Sequence, residues 1–466
     1  MRIVFEGNTR FDNSYGIVNL NLADALRSRG HLVALNSWDE DPEQVEIGCA
    51  RLGLEPFPLG SSDGADVCIR QFWPPNWERP NSRIFIVIQP WEFGGVPLEW
   101  VKALDNVDQV WVHTNFVKSC WVEAGADPQK VRIVPLGVRP PSIKFPVKKP
   151  NQLLFLGGGI WRKGIDLFIR ALDALDDDEL SGVSVVIKES GNNSFYQGQS
   201  LVDDLVKLYP RVGEITQVLR ESLSRDDLDL LVAESQALVH PYRAEGFYLG
   251  GLEAMSLGTA VVLTRGGAAD DYANDTNAIL VKASVAISDQ PAVDNYGPIG
   301  GRYHWLEVSV EDLTQGIRLA LVDDSVHEQR IQSGLATSTT FSWSQSARIA
   351  ERAIAGAFTG DVELDHFNAT ELQVARTLTE WGIDDLSNTI ALLLDHQDLY
   401  GAQALLELYP GELPTNAVSL HESLEPQVKA RLDLWKDARY RQQIRIGHRG
   451  EHSGDVLTSV GAEPQT

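Results

Sequence analysis

The stretch His240–Gly267 reads HPYRAEGFYLGGLEAMSLGTAVVLTRGG and decides the fold of this chain. It continues an apolar strand predicted at Ala237–His240, and its own pattern predicts a loop, a helix opening near Gly246 and a strand at Ala260–Thr264. Strand, helix and strand in this order are typical of a parallel α/β sheet with helices on both faces.

The same alternation extends in both directions from this stretch. A Pro- and Lys-containing segment, Pro140–Pro150, separates two α/β halves, so we expect one domain at 1–145 and a second at 151–335. A helix at Phe341–Phe358, within 336–358, follows them, and an acidic helical extension with a flexible tail is expected at 361–466. The other predicted elements are strands at Met1–Phe5, His31–Leu35, Arg83–Ile88, Gln109–Val112, Gln152–Leu156 and Val183–Lys188, and helices at Ile17–Arg29 and Ile165–Leu175.

The composition of the 466 residues excludes several classes of protein. Lys and Arg number 40 against 65 Asp and Glu, and the net charge of −25 argues against nonspecific binding to nucleic acid or anionic lipid. Three cysteines are too few for a disulfide framework or a zinc site. The chain contains no run of the ~20 apolar residues that a membrane span requires, and its first residues form a strand pattern, so a cytoplasmic protein is expected.

Two glutamates in the deciding stretch form the strongest candidate site. Glu245 and Glu253 lie eight positions apart, the first before the predicted helix and the second about two turns into it. The N–H groups of Gly246, Phe247 and Tyr248 offer a positive helix end to hydroxyl or phosphate oxygens. This pattern suits a nucleotide sugar, although two such glutamates also occur as plain helix-start and solvated charges.

The segment EGFYLGGLEAMSLGTAVVLT resembles the E-x7-E signature of retaining glycosyltransferases of family 4. Ala260 stands where that family usually has Pro, and Tyr248 where it usually has Gly. The resemblance implies the GT-B fold, in which two Rossmann-like domains face a cleft. It also implies transfer from a nucleotide-diphosphate sugar without a metal, with Glu245 facing the donor sugar and Glu253 holding the ribose hydroxyls.

A second candidate site is the Gly-rich turn FLGGGIWRKGID, Phe155–Asp166. Arg162 and Lys163 there can neutralise a diphosphate, or they can be a merely solvated basic helix start. The turn resembles the family pattern G-R-x4-K-G-x-D, in which Arg and Lys grip the diphosphate. Gly158 occupies the Arg position, so we expect Arg162, or else Lys188, to supply the missing charge.

Two further Gly-containing loops are expected at the ligand. The backbone of Gly266 and Gly267 could approach the sugar or diphosphate, and the resemblance places Gly16 under the acceptor and donor phosphate, in the segment Asn13–Gly16. The first loop lacks a G-x-G-x-x-G pattern, which removes the main support for a dinucleotide-dependent oxidoreductase. Loop-organising hydrogen bonds are the expected role of Asp271, Asn274 and Asp275.

Acceptor contacts are expected from loops at the strand ends of the first half. Glu92 is a candidate, His113 reads as a hydrogen-bonded rather than catalytic histidine, and a sugar could stack on Trp73, Trp77 or Trp91. The base pocket is expected near Thr216–Arg220 by position. The acidic run Asp226–Asp229 begins a helix and is interpreted as N-terminal charge rather than a metal site.

The function predicted from these residues is retaining glycosyl transfer in glycan biosynthesis, with Lys163, Arg162 and Glu245 as the catalytic candidates. The expected partners are a nucleotide sugar and a glycan, lipid-linked or small-molecule acceptor, with no nucleic acid, no metal and no cofactor beyond the donor. The acidic extension could mediate a homo-oligomer. Two alternatives stay open: a nucleotide-sugar epimerase of the same fold, and a non-catalytic carbohydrate-binding or scaffold protein.

Overall fold

A computed structural model describes residues 1–11, 13–39, 43–189, 200–287, 292–293, 297–322 and 324–359. The predicted extension at 361–466 lies outside the described residues. Among those described, no helix is both long and apolar enough to cross a membrane.

The first domain is built on one parallel sheet of six strands. Their order is β2-β1-β3-β4-β6-β7, and every residue of β3, β4 and β6 is buried because helices cover both faces of the sheet. In chain order the elements are β1 (Arg2–Gly7), α1 (Ser14–Ser28), β2 (Leu32–Ser37), α2 (Gln44–Arg51), β3 (Val67–Gln71), β4 (Ile84–Ile88), β5 (Val96–Pro97), α3 (Leu98–Ala103), β6 (Gln109–Val112), α4 (Asn115–Glu123) and β7 (Val131–Ile133).

The second domain begins with a second parallel six-stranded sheet, ordered β10-β9-β8-β11-β12-β13. Its first elements are β8 (Lys149–Leu156), α5 (Ile165–Asp173), α6 (Asp177–Leu180), β9 (Ser184–Lys188), α7 (Val202–Leu208), α8 (Pro210–Glu214), β10 (Thr216–Leu219), α9 (Arg225–Glu234), β11 (Ser235–His240), α10 (Leu249–Ser256), β12 (Ala260–Thr264) and β13 (Ile279–Val281). The remaining elements are β14 (Ala283–Ile287), β15 (Ala292–Val293), β16 (Gly297–Gly300), β17 (His304–Val308), α11 (Val310–Leu321), α12 (Ser325–Thr340) and α13 (Trp343–Thr359).

The helix α5 shows how the sequence determines the core of the second domain. Ile165, Phe168, Ile169 and Leu172 recur at helical spacing, and all four are buried against the sheet. The turn into this helix requires Gly164, which has a φ of +77° and lies so close to Pro241 that a Cβ would come within 2.0 Å of its carbonyl oxygen. The backbones of Gly164 and Pro241 are therefore in close contact, beside the loops after β8 and β11.

The last described helix returns to the first domain. α13 packs against α1, and the Ala353 carbonyl oxygen accepts a 2.7 Å hydrogen bond from the Gln109 side chain. The Glu351 carboxylate pairs with Arg29 and His31, which follow α1. Buried apolar residues and polar contacts together fix the helix on that surface.

A second connection joins the domains through strands. β16, from the second domain, pairs antiparallel with β5 of the first. The Gly94 N–H donates to the His304 carbonyl oxygen over 2.8 Å beside this pairing. The segment between β15 and β17 thus ties the loop after β4 to the second domain.

Each parallel sheet has a point at which the strand order reverses. In the first sheet β2 and β3 lie on opposite sides of β1, and in the second β9 and β11 lie on opposite sides of β8. Ligands of parallel α/β sheets bind outside the carboxyl ends of the strands beside such a point. The loops after β1, β8 and β11 are therefore where a site is expected from topology.

Candidate active site

A cavity of about 380 Å³ lies where these loops of the two domains meet, a volume that suits a small-molecule ligand. The first domain contributes residues at or after the ends of β1, β3, β4 and β6, among them Asn13, Ser14, Tyr15, Gln71, Glu92 and His113. The second domain contributes residues at or after the ends of β8 to β11, among them Gly157, Lys163, Lys188, Arg225, Glu245 and Glu253.

Glu245 is the centre of a buried charge cluster at this cavity. It is only 7% exposed, and its carboxylate lies 2.6 Å from Lys163 Nζ, 3.4 Å from Arg162 and 3.3 Å from His240 Nε2. Burial by itself raises the pKa of this carboxyl, but Lys163, Arg162 and the His240 hydrogen bond outweigh burial and hold the pKa well below its usual range. Glu245 is therefore a carboxylate throughout the physiological pH range.

His240 supports Glu245 from the end of β11. Its ring is fully buried and stacks on the Tyr248 ring at a centroid distance of 3.7 Å. Burial lowers the pKa of His240 to about 4, although Glu245 opposes this, so the imidazole is neutral at pH 7. A neutral ring donates one hydrogen bond to the carboxylate and adds no charge.

The helix after Glu245 begins later than the sequence indicated. α10 starts at Leu249 rather than near Gly246, because Tyr248 adopts a left-handed conformation with a φ of +60° and interrupts the helical path. Gly246, Phe247 and Tyr248 still line the cavity, but in the loop that precedes the helix. The first turn of α10, with Leu249 and Gly250 at the cavity, is the helix end that faces it.

The loop before α10 also contacts the first domain. Thr114 donates to the Gly246 carbonyl oxygen over 3.2 Å. A Cβ on Gly246 would come within 2.9 Å of the Trp91 carbonyl oxygen, so glycine allows this approach.

Glu253 lies at the cavity with an arginine that the sequence did not single out. Arg225 donates to the Glu253 carboxylate over 2.6 Å and to Asp229 over 2.9 Å. The Glu253 carboxylate, together with Asp229, raises the pKa of Arg225 despite its burial. The acidic run after Arg225 opens α9 with Ser224 as the N-cap, which agrees with its interpretation as helix-start charge.

The basic residues after β8 and β9 divide into two groups. Lys163 and Lys188 line the cavity, and burial lowers the pKa of Lys188, although Glu221 and Glu189 oppose this. Arg162 is not among the lining residues: it is buried, donates to the Ala244 carbonyl oxygen over 2.6 Å and lies 3.4 Å from both Glu92 and Glu245. In this geometry Arg162 positions the Glu245 loop, and Lys188 is the second lysine at the cavity.

The Gly-rich loops contribute differently from the expectation. Gly16 lies inside α1, where a Cβ would come within 1.9 Å of the Arg10 carbonyl oxygen, and it is the neighbouring Asn13, Ser14 and Tyr15 that line the cavity. Gly266 and Gly267 are not among the lining residues. The N–H of Gly266 donates instead to the Asp270 carboxylate over 2.9 Å, within its own loop.

Asp271 joins the two domains rather than organising its own loop. Its carboxylate accepts hydrogen bonds from the backbone and side chain of Asn115, at 2.9 and 3.1 Å. Burial raises the pKa of Asp271 to about 6, although the Asn115 bonds oppose this. Asn274 and Asp275 make local contacts, with Thr276 and Arg265 respectively.

The predicted acceptor residues of the first domain have mixed positions. Glu92 lines the cavity, as does His113, whose Nδ1 donates to the Val134 carbonyl oxygen over 2.9 Å. Burial lowers the pKa of His113 to about 4, so it is the neutral, hydrogen-bonded histidine that we expected.

The three tryptophans predicted to stack on sugar instead belong to an aromatic core around Trp100. Trp91 is 2% exposed and its indole N–H donates to the Gly95 carbonyl oxygen, while Trp73 and Trp77 pack against Trp100 at centroid distances of 5.8 and 6.4 Å.

The region expected to hold the base lies next to the cavity and does not line it. Thr216–Leu219 form the edge strand β10, and Arg220 pairs with Glu189 and Asp203. The residues that follow, Ser222–Arg225 with Leu228, line the cavity instead. The base pocket expected near Thr216–Arg220 thus stays a prediction, and Ser222–Arg225 is the neighbouring segment that lines the cavity.

Arg243 and its partners were also missed. Its guanidinium is buried and binds Asp166 and Glu307 at 2.7 and 2.8 Å, while stacking on Trp161 at 4.6 Å. Its position within the stretch His240–Gly267 was the only signal in the sequence.

No group of three or more His, Cys, Asp or Glu that could hold a metal occurs among the described residues.

Comparison with known proteins places this geometry in context. Residues 150–290 match the family described as "Glycosyl transferases group 1". Sucrose-phosphate synthase from Thermosynechococcus elongatus has a similar structure: it is 14% identical, with a TM-score of 0.54, over 78% of this chain and 100% of that one. A glycosyltransferase from Rickettsia africae is 14% identical, with a TM-score of 0.56, over 77% and 99% of the two chains.

HepE from Anabaena, solved in complex with UDP, is 11% identical to this chain, with a TM-score of 0.54 over 76% of this chain and all of its own. Among curated proteins, none has significant sequence similarity to the chain. At these identities the solved structures establish the fold, and the family match covers most of the second domain. The chain therefore has the GT-B fold, and residues 150–290 of its second domain match the group 1 glycosyl transferase family.

Proposed function

We propose that the protein is a retaining glycosyltransferase that moves a sugar from a nucleotide-diphosphate donor to an acceptor hydroxyl. The observation that carries this proposal is the Lys163–Glu245 ion pair at 2.6 Å, which shares one cavity with Glu253. All three residues lie within the segment 150–290 that matches the glycosyl transferase family. The cavity lies outside the carboxyl ends of both parallel sheets, where such folds bind ligands.

The donor diphosphate binds next to Lys163 and Lys188, the lysines among the described residues that line the cavity. Two ammonium groups and the first turn of α10 supply positive potential in a partly buried site, where electrostatic interactions are strong. They stabilise the charge that develops on the leaving diphosphate, so the reaction needs no metal ion at this position. Arg162 acts through Glu245, whose carboxylate it helps to hold in place.

The nucleoside part binds on the side of Glu253. This carboxylate is held by Arg225, and the residues Ser222–Arg225 form the neighbouring wall. A fixed carboxylate is a suitable acceptor for two ribose hydroxyls. Because HepE was solved with UDP, UDP-sugars are the first donors to test.

The chemistry requires one bond to break and one to form on the same face of the sugar. The bond from the anomeric carbon to the diphosphate oxygen breaks, and the acceptor oxygen bonds to that carbon from the side of the leaving group. The acceptor proton goes to the departing diphosphate. Glu245 is ionised and paired with Lys163; it accepts hydrogen bonds from the donor sugar through its remaining lone pairs and does not act as a nucleophile.

The acceptor enters from the first domain, where Asn13–Tyr15, Glu92 and His113 line the cavity. A glycan, a lipid-linked glycan or a small molecule with a free hydroxyl fits this role. One observation favours a second candidate, a carbohydrate-binding protein without activity: Gly158 replaces the family arginine, and Arg162 is not among the cavity-lining residues.

A donor panel separates these functions. The protein is incubated with UDP-, GDP- and ADP-sugars and mixed acceptors, with and without EDTA, and the products are analysed by mass spectrometry and NMR. An α-linked product from an α-linked donor, formed equally with EDTA, supports the proposal. An epimerised donor, an inverted product, or donor binding without any product from the whole panel refutes it.

A further inference from the structure

Four aromatic side chains form a continuous row outside the cavity, which we call the aromatic row: Phe93, Tyr303, Trp305 and Trp161. Successive rings are 5.4, 6.1 and 5.5 Å apart between centroids. All four are partly exposed, and Trp161 at the end is 41% exposed. Phe93, at the other end, also packs against the tryptophan cluster around Trp100 in the core of the first domain, with its ring 6.1 Å from that of Trp91.

The aromatic row begins at the rim of the candidate active site. Phe93 directly follows Glu92, which lines the cavity, and Trp161 lies two residues before Lys163, which also lines it. The hydrogen bond from Gly94 to His304 holds the two ends of the Phe93–Tyr303 contact together. A ligand bound in the cavity could therefore extend onto the row without leaving the protein surface.

Carboxylates accompany the aromatic rings. The Trp305 indole N–H donates to Glu307 over 3.1 Å, and Arg243 binds both Glu307 and Asp166 while stacking on Trp161. Glu307 is 37% exposed at its side chain, so hydroxyl groups can reach it. The surface thus offers apolar ring faces next to fixed, solvent-accessible hydrogen-bond acceptors.

We propose that the aromatic row binds the sugar units of a neutral oligosaccharide acceptor beyond the unit that reacts. This inference rests on the proposed function and names the acceptor class. A pyranose ring has an apolar C–H face, which is attracted to the negative face of an aromatic ring, and an edge of hydroxyls that donate to carboxylates. Glu92, Glu307 and the net charge of −25 disfavour an anionic polysaccharide.

The sharpest test removes one ring without disturbing the backbone. Trp161 supports its turn through its carbonyl oxygen, which accepts from Gly164 and Arg243, so Trp161→Ala removes the ring and leaves these bonds. Trp161→Phe keeps a ring at this position. Phe145→Ala, which truncates an exposed aromatic side chain outside the row, is the matched control.

Affinity is measured by calorimetry on the full chain with hexasaccharides of glucose, mannose and N-acetylglucosamine, and with the three monosaccharides. We expect at least one hexasaccharide to bind more tightly than its monosaccharide. Trp161→Ala should weaken that binding about three- to tenfold, while Trp161→Phe loses less and Phe145→Ala is unchanged. Nucleotide-sugar binding should be the same in all four proteins.

Two results would overturn the inference: no binding of any of the three hexasaccharides, or equal hexasaccharide affinity in wild type and Trp161→Ala. Donor turnover is assayed separately on the same preparations. Loss of hexasaccharide binding in Trp161→Ala without any transfer activity in wild type refutes the proposed function and leaves the sugar-binding row. Transfer activity in wild type, together with equal hexasaccharide affinity in wild type and Trp161→Ala, supports the proposed function and refutes the sugar-binding row.

Discussion

Replacing Lys163 with methionine tests the charge cluster on which the proposed reaction depends. Lys163 Nζ lies 2.6 Å from the Glu245 carboxylate, and both side chains are largely buried, at 14% and 9% exposed. Methionine keeps most of the side-chain volume and removes the ammonium group. The variant therefore leaves a buried carboxylate whose remaining polar partners in the described part of the chain are Arg162 and His240, at 3.4 and 3.3 Å.

The expected loss of stability follows from this geometry. Removing one partner of a buried ion pair costs about 3–5 kcal/mol, and the remaining Arg162 contact places Lys163→Met near the lower end. A loss of about 3 kcal/mol corresponds to a Tm lowered by roughly 6–12 °C for a cooperative unit of about 150–250 residues, the size range of the second domain. Turnover should fall at least about a hundredfold, because an electrostatic contact to the leaving group is also lost.

A second variant separates the two effects. In Lys163→Met/Glu245→Gln the buried charge is gone, so most of the lost Tm should return, while turnover stays low. Lys130→Met is the control: its ammonium donates to the carbonyl oxygens of Leu104 and Val107, away from the cavity, so stability should fall and turnover should not. The measurements are thermal unfolding by circular dichroism and initial rates with a saturating donor.

The loss of folding stability at acidic pH gives an independent check. The pKa of Glu245 in the folded protein is lower than the ~4.3 of an unfolded glutamate, so its contribution is present above that value and is lost as the pH falls. Lys163→Met should show a shallower loss on acidification. If the double variant is no more stable than Lys163→Met, Glu245 is not a desolvated carboxylate that depends on Lys163, and the reasoning fails.

Three further changes test other parts of the site. Glu253→Gln should weaken nucleotide binding about ten- to hundredfold by calorimetry, with a smaller loss of Tm than Lys163→Met because Arg225 keeps Asp229, whereas Glu234→Gln, away from the cavity, should not weaken binding; equal affinities would remove Glu253 from the ribose site. The pKa of Asp271 is about 6 in the folded protein and ~3.9 in the unfolded chain, so its ionisation lowers the free energy of unfolding as the pH rises from about 4 to 6. In urea titrations this loss should be smaller in Asp271→Asn, which keeps an acceptor for Asn115, and an equal loss would contradict the assignment. A chain ending at residue 360 should keep donor binding, since Lys163, Glu245 and Glu253 precede the cut, as do the other described residues that line the cavity; loss of binding in a folded, monodisperse truncation would place 361–466 at the cavity.

The strand pattern allowed much of the fold to be predicted. Gln109–Val112 and Ala260–Thr264 match the observed strands residue for residue, because each is an apolar run bounded by turns. β3 was missed, since its sequence VCIRQ ends in two polar residues. Arg70 there is buried because it pairs with Glu6 at 2.6 Å and lies over the ring of Phe85 at 4.6 Å, contacts that no local pattern predicts.

The two site glutamates could be located from their spacing, but their partners could not. Lys163 meets Glu245 across 82 positions of the chain, and Arg225 meets Glu253 across 28. Which basic residue faces the ligand is decided by the one-turn helix Trp161–Lys163, which directs Arg162 toward the Ala244 carbonyl oxygen while Lys163 lines the cavity. Consecutive residues in such a turn point about 120° apart, so adjacent cations have different roles.

Exposure of the tryptophans depends on tertiary packing in the same way. Trp91 and Trp161 each follow a strand end by a few residues, yet Trp91 is 2% exposed and Trp161 is 41% exposed. Trp91 turns inward because β16 pairs with β5 and covers the loop after β4, and β16 is distant in sequence. The number of tryptophans can be read from the sequence, but which of them are buried depends on how distant segments pack.

The two domains complete the site together, and this has a consequence for its chemistry. Three contacts between domains flank Glu245: Thr114 with the Gly246 carbonyl oxygen, Asn115 with Asp271, and Arg162 with Glu92. Any separation of the domains that opens the cavity breaks these contacts and lets water reach the cluster around Glu245. Because electrostatic interactions weaken as water enters, the cations stabilise a leaving diphosphate best when the domains are in contact. Contact between the domains thus has two effects. It brings the acceptor side next to the donor side, and it keeps water away from the charges that stabilise the leaving group.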